Sequence, residues 1–507
     1  MMFKATSEAT GGHVSRRVLL HATVLAAAMP ALVNAALAAP NLDWATSLTT
    51  KDAAARIARG DMTAESYATA LAGQAARVAS LDIFIAEDRE AMLAGARAID
   101  QRRQAGEKLG PLAGIPLLVK DNIDTASLPT TAGTPALAHN RPMHDAAVLG
   151  RLLGAGALLF GKTNMDELAG GATSDNAAFG AVRNPYAPDR IPGGSSGGTA
   201  AGIAARVTTA GLGTDTGGSS RIPASLCGVV GFRPTVGRYP GGGHVPSSHT
   251  RDVIAPMART VAGIAIMDHV ISGEPGATAR PLRGLRLGLP KTYFWSGLDP
   301  ETEAVAQDAV RRMRAAGVEF VDVDLPGLPE LLAQIAPILA YEAISDLRSY
   351  LQQQRSPTTV EQVVAGIKSQ DVAQFYHSFL ASADVAAYRT ALDVYRPQLQ
   401  RLFADAFRQS GVSALCFPPT PITAPPIGQQ AVVLGGKEVP VLLAYFHNGN
   451  PASATGLPAL VIPAGLSRSG LPVGLEFDGP AGSDRMLLSI GLAVEKLLPP
   501  LPAPRLA

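Results

Sequence analysis

Cysteine is nearly absent from this chain: Cys227 and Cys416 are the only two in 507 residues. Two thiols cannot build a disulfide framework, and without C-x-x-C spacing they cannot form a thiolate zinc centre. Both read as buried structural thiols. Charge is sparse as well, with 17% of residues charged and a formal net charge of +1. No run of Lys and Arg interleaved with aromatics follows the first residues, so the electrostatic footprint of a nucleic-acid binder is missing. Beyond the N-terminus no segment reaches the roughly 18 uninterrupted apolar residues that a membrane span requires. No self-similarity at a period of 20 to 50 residues indicates a solenoid or propeller. No His-x-x-x-His or His-Glu pairing suggests a metal, and no motif calls for a cofactor.

What the chain does hold is 47% apolar residues, enough to bury a large core. Its 52 Gly and 39 Pro are scattered between apolar runs, which reads as many turns in a loop-rich fold. The N-terminus differs from the rest. Arg16 and Arg17 precede an apolar stretch from Val18 to Val33, followed by the small-residue sequence Ala36-Leu37-Ala38. That order predicts a twin-arginine export signal over residues 1–38, cleaved after Ala38, which leaves 39–507 as one domain outside the cytoplasm, periplasmic or secreted.

Along that domain, "TTKDAAARIARGDMTAESYATALAGQAARVASL" predicts two helices, with Thr50 and Thr63 as N-caps and Gly60 as a stop. "EAMLAGARAIDQRRQAGE" continues as helix. "GPLAGIPLLVKDNI" then reads as a buried strand ending near Lys120. "DAAVLGRLLGAG", "ALLFGKTNM", "GGTAAGIAARVTTAG" and "CGVVGFRPT" alternate helix, strand, helix, strand, and residues 282 to 325 form another βαβ-like unit. Residues 328–410 are mostly helical by pattern. "VSALCFPPTPITAPPIG" returns as a strand entering a proline-rich turn, and a hairpin and closing helix end the chain. Such alternation argues for an α/β fold around a buried sheet.

One tetrapeptide occurs twice: Gly-Gly-Ser-Ser at 193–196 and again, 24 residues on, at 217–220. A linker would separate domains, yet the first copy runs straight into a helical pattern. A phosphate cradle needs the Walker spacing or a strand before G-x-G-x-x-G, and neither is present. The first copy also fits the G-x-S-x-G nucleophile elbow around Ser195 or Ser196, with His447 as a formal partner. That motif requires a preceding strand, whereas "RNPYAPDRIP" carries three prolines in ten residues, which argues against one. The remaining reading joins both copies to Lys120. A serine hydroxyl needs a base, a neutral lysine can serve, and the apolar run "GIPLLVK" would desolvate Lys120 and lower its pKa. A second serine can then relay the proton.

Four segments, "GIPLLVKDNI", "GKTNMDEL", "NPYAPDRIPGGSSGGTAAG" and "GLGTDTGGSSRIPASLCGVVGFRPT", resemble the amidase signature family in order, content and spacing. The resemblance covers roughly residues 43 to 498. It implies a mixed central β-sheet covered on both faces by α-helices, with a catalytic core at about 110–265 and an additional helical region at about 328–410. It implies a Ser-cis-Ser-Lys triad of Ser219 as nucleophile, Ser195 as relay and Lys120 as base, with a cis peptide at Gly194-Ser195. Backbone N–H groups of Thr216, Gly217, Gly218 and Ser219 are expected to meet the oxyanion. Ser196 is expected to support Lys120, and Asp215 and Arg221 to form a structural network around the nucleophile. The sequence departs from the commoner family pattern at Ser220 and at Asp166.

The activity so implied is hydrolysis of a small carboxamide through an acyl-enzyme. "GRYPGGGHVPSSHTRDVIAPMART" resembles most the branch that contains indoleacetamide and mandelamide hydrolases, which makes aryl-acetic amides the expected substrates. Peptide amidase, aryl acylamidase and carbamate hydrolase activities use the same triad, and a non-catalytic binding protein on this fold is the alternative class. His244 and His249 read as surface or structural. No metal, nucleic acid or permanent membrane span is expected, and a homodimer is compatible with the sequence.

Overall fold

The computed structural model describes residues 42–381 and 384–506. The export signal expected over residues 1–38 lies outside them. Among the described residues no helix is long and apolar enough to cross a membrane. From Ala45 onward the chain forms one compact unit.

Eleven strands make one sheet. In chain order they are β1 (Phe84–Glu87), β2 (Pro116–Lys120), β3 (Leu158–Thr163), β4 (Ala210–Asp215), β5 (Val230–Arg233), β6 (Val253–Ala258), β7 (Arg286–Leu289), β8 (Glu319–Asp322), β9 (Ala414–Phe417), β10 (Ala459–Leu466) and β11 (Pro472–Asp478). Across the sheet they run β1-β3-β2-β4-β6-β5-β10-β11-β9-β7-β8. Pairing is mixed: β2 lies parallel to both β3 and β4, while β4 and β6 are antiparallel. Successive side chains on a strand point to opposite faces. Every residue of β2, β4, β5, β6, β9 and β11 is buried, so both faces of the central sheet are covered. Helices supply that cover, as the α/β reading requires.

Local signals explain much of this order. The helix Thr50–Arg59, the first of the two expected from the sequence, starts one residue earlier in its capping than the sequence suggests: Thr49 accepts from Asp52 N, while Thr50 is buried and donates to Thr209 Oγ1 at 3.0 Å. Thr63 caps the next helix and Gly60 ends the first at φ +80°. The βαβ unit appears as β7, helix Pro300–Ala315 and β8, with β7 and β8 parallel. Helices fill most of 328–410, and the chain closes with the β10–β11 hairpin and helix Asp484–Val494. Three strands escape the sequence pattern, the short β1 among them. β4 reads AGLGTD, poor in β-branched and aromatic residues, and its start looks like the tail of the preceding helix. β6 contains Pro256, a residue type rarely found inside central strands.

Candidate active site

The parallel pair β2 and β4 brings two strand ends together. Ligand sites in α/β sheets commonly form outside the carboxyl ends of strands. Lys120 is the last residue of β2. Ser219 follows β4 in the turn before helix Arg221–Cys227, and Ser195 stands just before helix Gly197–Ala204. The backbone ties the two serine turns to each other, with Ser196 N donating to Ser219 O at 3.0 Å.

Lys120 is fully buried, and its Nζ donates to Ser195 Oγ at 2.7 Å and Thr214 Oγ1 at 2.8 Å. Burial pulls its ammonium from 10.5 down to about 7, against the opposing pull of Asp166, Asp215 and Asp252. The peptide between Gly194 and Ser195 is cis. Gly194 has no room for a side chain: a Cβ there would meet Thr173 N at 2.7 Å and Ala172 C at 2.8 Å, both backbone, beside the Asp166 carboxylate. Ser219 Oγ has no hydrogen-bond partner among the described residues, so the Lys120–Ser195 link is made and the Ser195–Ser219 link is open.

The second turn is organised by Asp215. Its carboxylate accepts from Gly218 N at 3.1 Å, Ser220 N at 3.2 Å, Ser220 Oγ at 2.9 Å and Ser453 Oγ at 3.0 Å. Arg221 adds a two-point contact, Nε at 3.0 Å and Nη2 at 2.9 Å, and Arg233 Nη1 donates at 3.0 Å. Burial alone would raise this carboxyl, yet Arg221 and Arg233 hold it well below the usual range. Arg221 also reaches Glu476. Asp215 and Arg221 thus build the turn that carries Ser219, and Ser220 belongs to the same network.

Two expectations change. Gly218 N–H is committed to Asp215, which removes it from the oxyanion donors; the N–H groups of Thr216, Gly217 and Ser219 donate to no described residue. Gly218 is needed for its conformation, φ +118°. Ser196 does not reach Lys120. Its hydroxyl donates to Thr214 O at 3.2 Å and accepts from Thr214 N at 3.3 Å, and Thr214 rather than Ser196 is the second partner of Lys120. Sequence reasoning missed Thr214, together with Asn122, whose Nδ2 donates to Thr214 Oγ1 at 3.1 Å, and Arg233. A threonine near the end of a glycine-rich strand carries no chemical signature of its own.

The elbow alternative lacks its strand, since no strand leads into Ser195, and His447 instead stacks on Tyr293 at 4.0 Å between ring centres. His244 is partly buried, with Nε2 3.3 Å from Asp252 Oδ2. Asp252 also accepts from Thr216 Oγ1 at 2.6 Å, which fastens the loop 244–252 to the turn that carries Ser219. His249 is exposed and meets Asp346 at 3.0 Å and Glu342 at 3.4 Å. This trio could hold a metal ion geometrically, a grouping that sequence spacing did not reveal. Both cysteines are buried thiols.

Beside Ser219 lies a cavity of about 40 Å³, lined by Thr216, Gly217, Arg251, Phe375, Tyr376 and Phe446 among others. A larger open groove of about 810 Å³ runs past Gly241, His244 and Asp346, but neither Lys120 nor either serine of the pair lines it.

The sequence model of the amidase family matches residues 67–488. The chain belongs to the amidase family. The amidase is 42% identical over 448 residues to an indoleacetamide hydrolase of Agrobacterium vitis, an alignment spanning 87% of this chain and 95% of that one. It is 36% identical over 485 residues to a mandelamide hydrolase of Pseudomonas putida, covering 92% and 94% of the two chains. Its fold matches the crystal structure of native peptide amidase from Stenotrophomonas maltophilia with a TM-score of 0.78 at 30% identity, over 90% of this amidase and 98% of that chain. The amidase is therefore an amide-hydrolysing enzyme with the α/β amidase signature fold.

Proposed function

We propose that the amidase cleaves a carboxamide through an acyl-enzyme on Ser219, with Ser195 as proton relay and Lys120 as base. The observation that carries this reading is the 2.7 Å contact between Lys120 Nζ and Ser195 Oγ, made by a lysine whose burial lets it be neutral near pH 7. Neutral Lys120 takes the proton of Ser195, which takes that of Ser219 as Ser219 Oγ bonds to the carbonyl carbon. The developing oxyanion lies against the free N–H groups of Thr216, Gly217 and Ser219. The proton returns through Ser195 to the leaving nitrogen, the C–N bond breaks, and ammonia or an amine departs. Water then cleaves the ester by the same route and leaves the carboxylate.

Aryl-acetic amides are the proposed substrates. Phe375, Tyr376 and Phe446 around Ser219 offer aromatic faces, and the indoleacetamide and mandelamide hydrolases support the choice. A cavity of about 40 Å³ holds little more than a water molecule or two. An aryl group therefore enters with outward rotation of Phe375 or Phe446, both only partly buried.

The test is ammonia release from indole-3-acetamide, mandelamide, peptide amides, anilides and carbamates by wild type and Ser219→Ala. The aryl-acetic amides should be turned over fastest, and Ser219→Ala should lose about 10³-fold or more. Wild-type turnover by Ser219→Ala would overturn the mechanism; faster cleavage of an anilide or carbamate would overturn the substrate. The Arg16-Arg17 segment supports export to the periplasm or beyond. Cell fractionation tests that, with the Arg16→Lys/Arg17→Lys variant expected to stay in the cytoplasm.

A further inference from the structure

Arg251 is a buried cation beside the nucleophile with no carboxylate partner. It lines the Ser219 cavity and is 3% exposed. The other two buried arginines among the described residues are paired: Arg221 meets Asp215 and Glu476, and Arg233 meets Asp215. For Arg251 no Asp or Glu oxygen lies within 4.0 Å among the described residues, and its one side-chain hydrogen bond runs from Nη1 to Asn450 Oδ1 at 3.0 Å. Asn450 lines the same cavity. The backbone below is pinned, because Arg233 Nη2 donates to Arg251 O at 2.7 Å and Asp252 anchors the next residue to Thr216.

A guanidinium presents five N–H donors in a fixed fork. Burying that charge is costly, and the carboxylates that favour it, Glu342 and Asp252, act from beyond ion-pair distance. Burial pulls Arg251 down to about 10, which still leaves it charged at neutral pH. The rest of the lining is largely apolar, with Phe375, Phe446, Leu339 and Ala343. Pockets of that kind use a few placed polar groups to select and orient a ligand.

We propose that Arg251 is a specificity-determining residue that donates to an oxygen on the acyl part of the substrate, so that the preferred amide is an aryl-acetic amide bearing a hydroxyl, carbonyl or carboxylate oxygen besides the scissile carbonyl. This rests on Ser219 being the nucleophile, since it is the shared cavity that puts Arg251 next to the acyl group. Asn450 is a positioning residue that fixes the fork.

The experiment compares kcat/KM for phenylacetamide with that for phenylacetamides carrying a hydroxyl or a carboxylate on the α-carbon or on the ring. It uses wild type, Arg251→Met and Arg251→Lys. At least one oxygen-bearing amide should exceed phenylacetamide about tenfold or more in wild type. Arg251→Met should lower that substrate about 10- to 100-fold while changing phenylacetamide less than about threefold, and Arg251→Lys should recover part of the difference. Hydroxyl and carboxylate arms separate a neutral from an anionic ligand. Equal losses on every substrate, or an unchanged preference in Arg251→Met, would overturn the proposal. A measurement on wild type alone covers a variant that fails to fold: the oxygen-bearing acid product should inhibit about tenfold more tightly than phenylacetate, and equal inhibition again overturns it. Hydrolysis retained in Ser219→Ala would instead defeat the underlying reading.

Discussion

Two buried lysines stand on adjacent parallel strands, and their surroundings give them different chemistry. In the β2–β3 register Val119 faces Lys162 and Lys120 faces Thr163, and both lysines are fully buried. Lys162 Nζ donates to Ile123 O at 2.7 Å, Pro129 O at 3.1 Å and Thr130 Oγ1 at 2.9 Å, with Asp121 Oδ1 at 3.6 Å. Its ammonium is surrounded by oxygen acceptors and one carboxylate, as a structural cation should be. Lys120 meets two hydroxyls and no carboxylate within ion-pair distance. Burial lowers both. Both lysines touch a hydroxyl, but Thr130 Oγ1 already donates to Ile123 O at 3.3 Å, whereas the Ser195 hydroxyl has no partner besides Lys120 among the described residues.

The largest effect that breaks this contrast is kinetic. Lys120→Arg keeps a permanent charge and removes the proposed base. Amide turnover should fall about 10³-fold or more while the folded fraction stays high, as followed by ammonia release and circular dichroism. Lys162→Met should do the reverse. It leaves Asp121 buried without its counter-charge, and urea unfolding should show a loss of about 3 to 5 kcal/mol. A Lys162→Met enzyme of unchanged stability would mean that the two lysines are not divided as their partners indicate.

Much of the sheet and the chemical pair could be read beforehand. Apolar runs closed by glycine and proline marked β2, β3 and β5, and the run before Lys120 already implied desolvation. What stayed hidden depends on contacts between distant segments. Lys162 ends in the same kind of apolar strand as Lys120, and nothing local tells one from the other. Thr214 lies 94 residues from the lysine it contacts. β4 is held by its neighbours despite three weak strand formers in six positions, because burial on both faces outweighs intrinsic preference. The commitment of Gly218 N–H to Asp215 follows from the turn geometry, which four adjacent amides in sequence do not reveal.

A smaller effect appears in stability against pH. Lys120 is lowered from 10.5 in the open chain to about 7 in the fold. Below pH 7 it is protonated in both states and contributes a constant penalty. Between pH 7 and 10.5 the unfolded chain holds the extra proton, so raising the pH favours the folded state, by at most about 1.4 kcal/mol per unit. The gain is complete above 10.5 and is lost as pH falls back to 7. Unfolding wild type and Lys120→Met in parallel isolates this term, because other titrating groups cancel in the difference. The difference should grow with pH in that window, and a flat difference would indicate that Lys120 titrates normally.

The finest adjustment of the contrast is Asp166, one of the two departures from the commoner family pattern. It is buried and accepts from Ser174 N at 2.9 Å and Thr173 Oγ1 at 3.2 Å, while its second oxygen has no partner. Burial pushes this carboxyl up to about 6, so it is ionised where the enzyme's lysine is losing its proton. Among nearby charges, Asp166 is the foremost in favouring protonated Lys120. It gives Lys120, at a distance, a weak form of the carboxylate that Lys162 has close by. Asp166→Asn keeps an acceptor for Ser174 and removes the charge. Lys120 should then release its proton more easily, and the acid limb of kcat/KM should move to lower pH. Activity at pH 8 should change by less than about tenfold, or 1.4 kcal/mol. A limb that stayed in place would show the charge to be screened from Lys120. A shift to higher pH would mean that Asp166 acts through the packing of Gly194 and its neighbours instead of through its field.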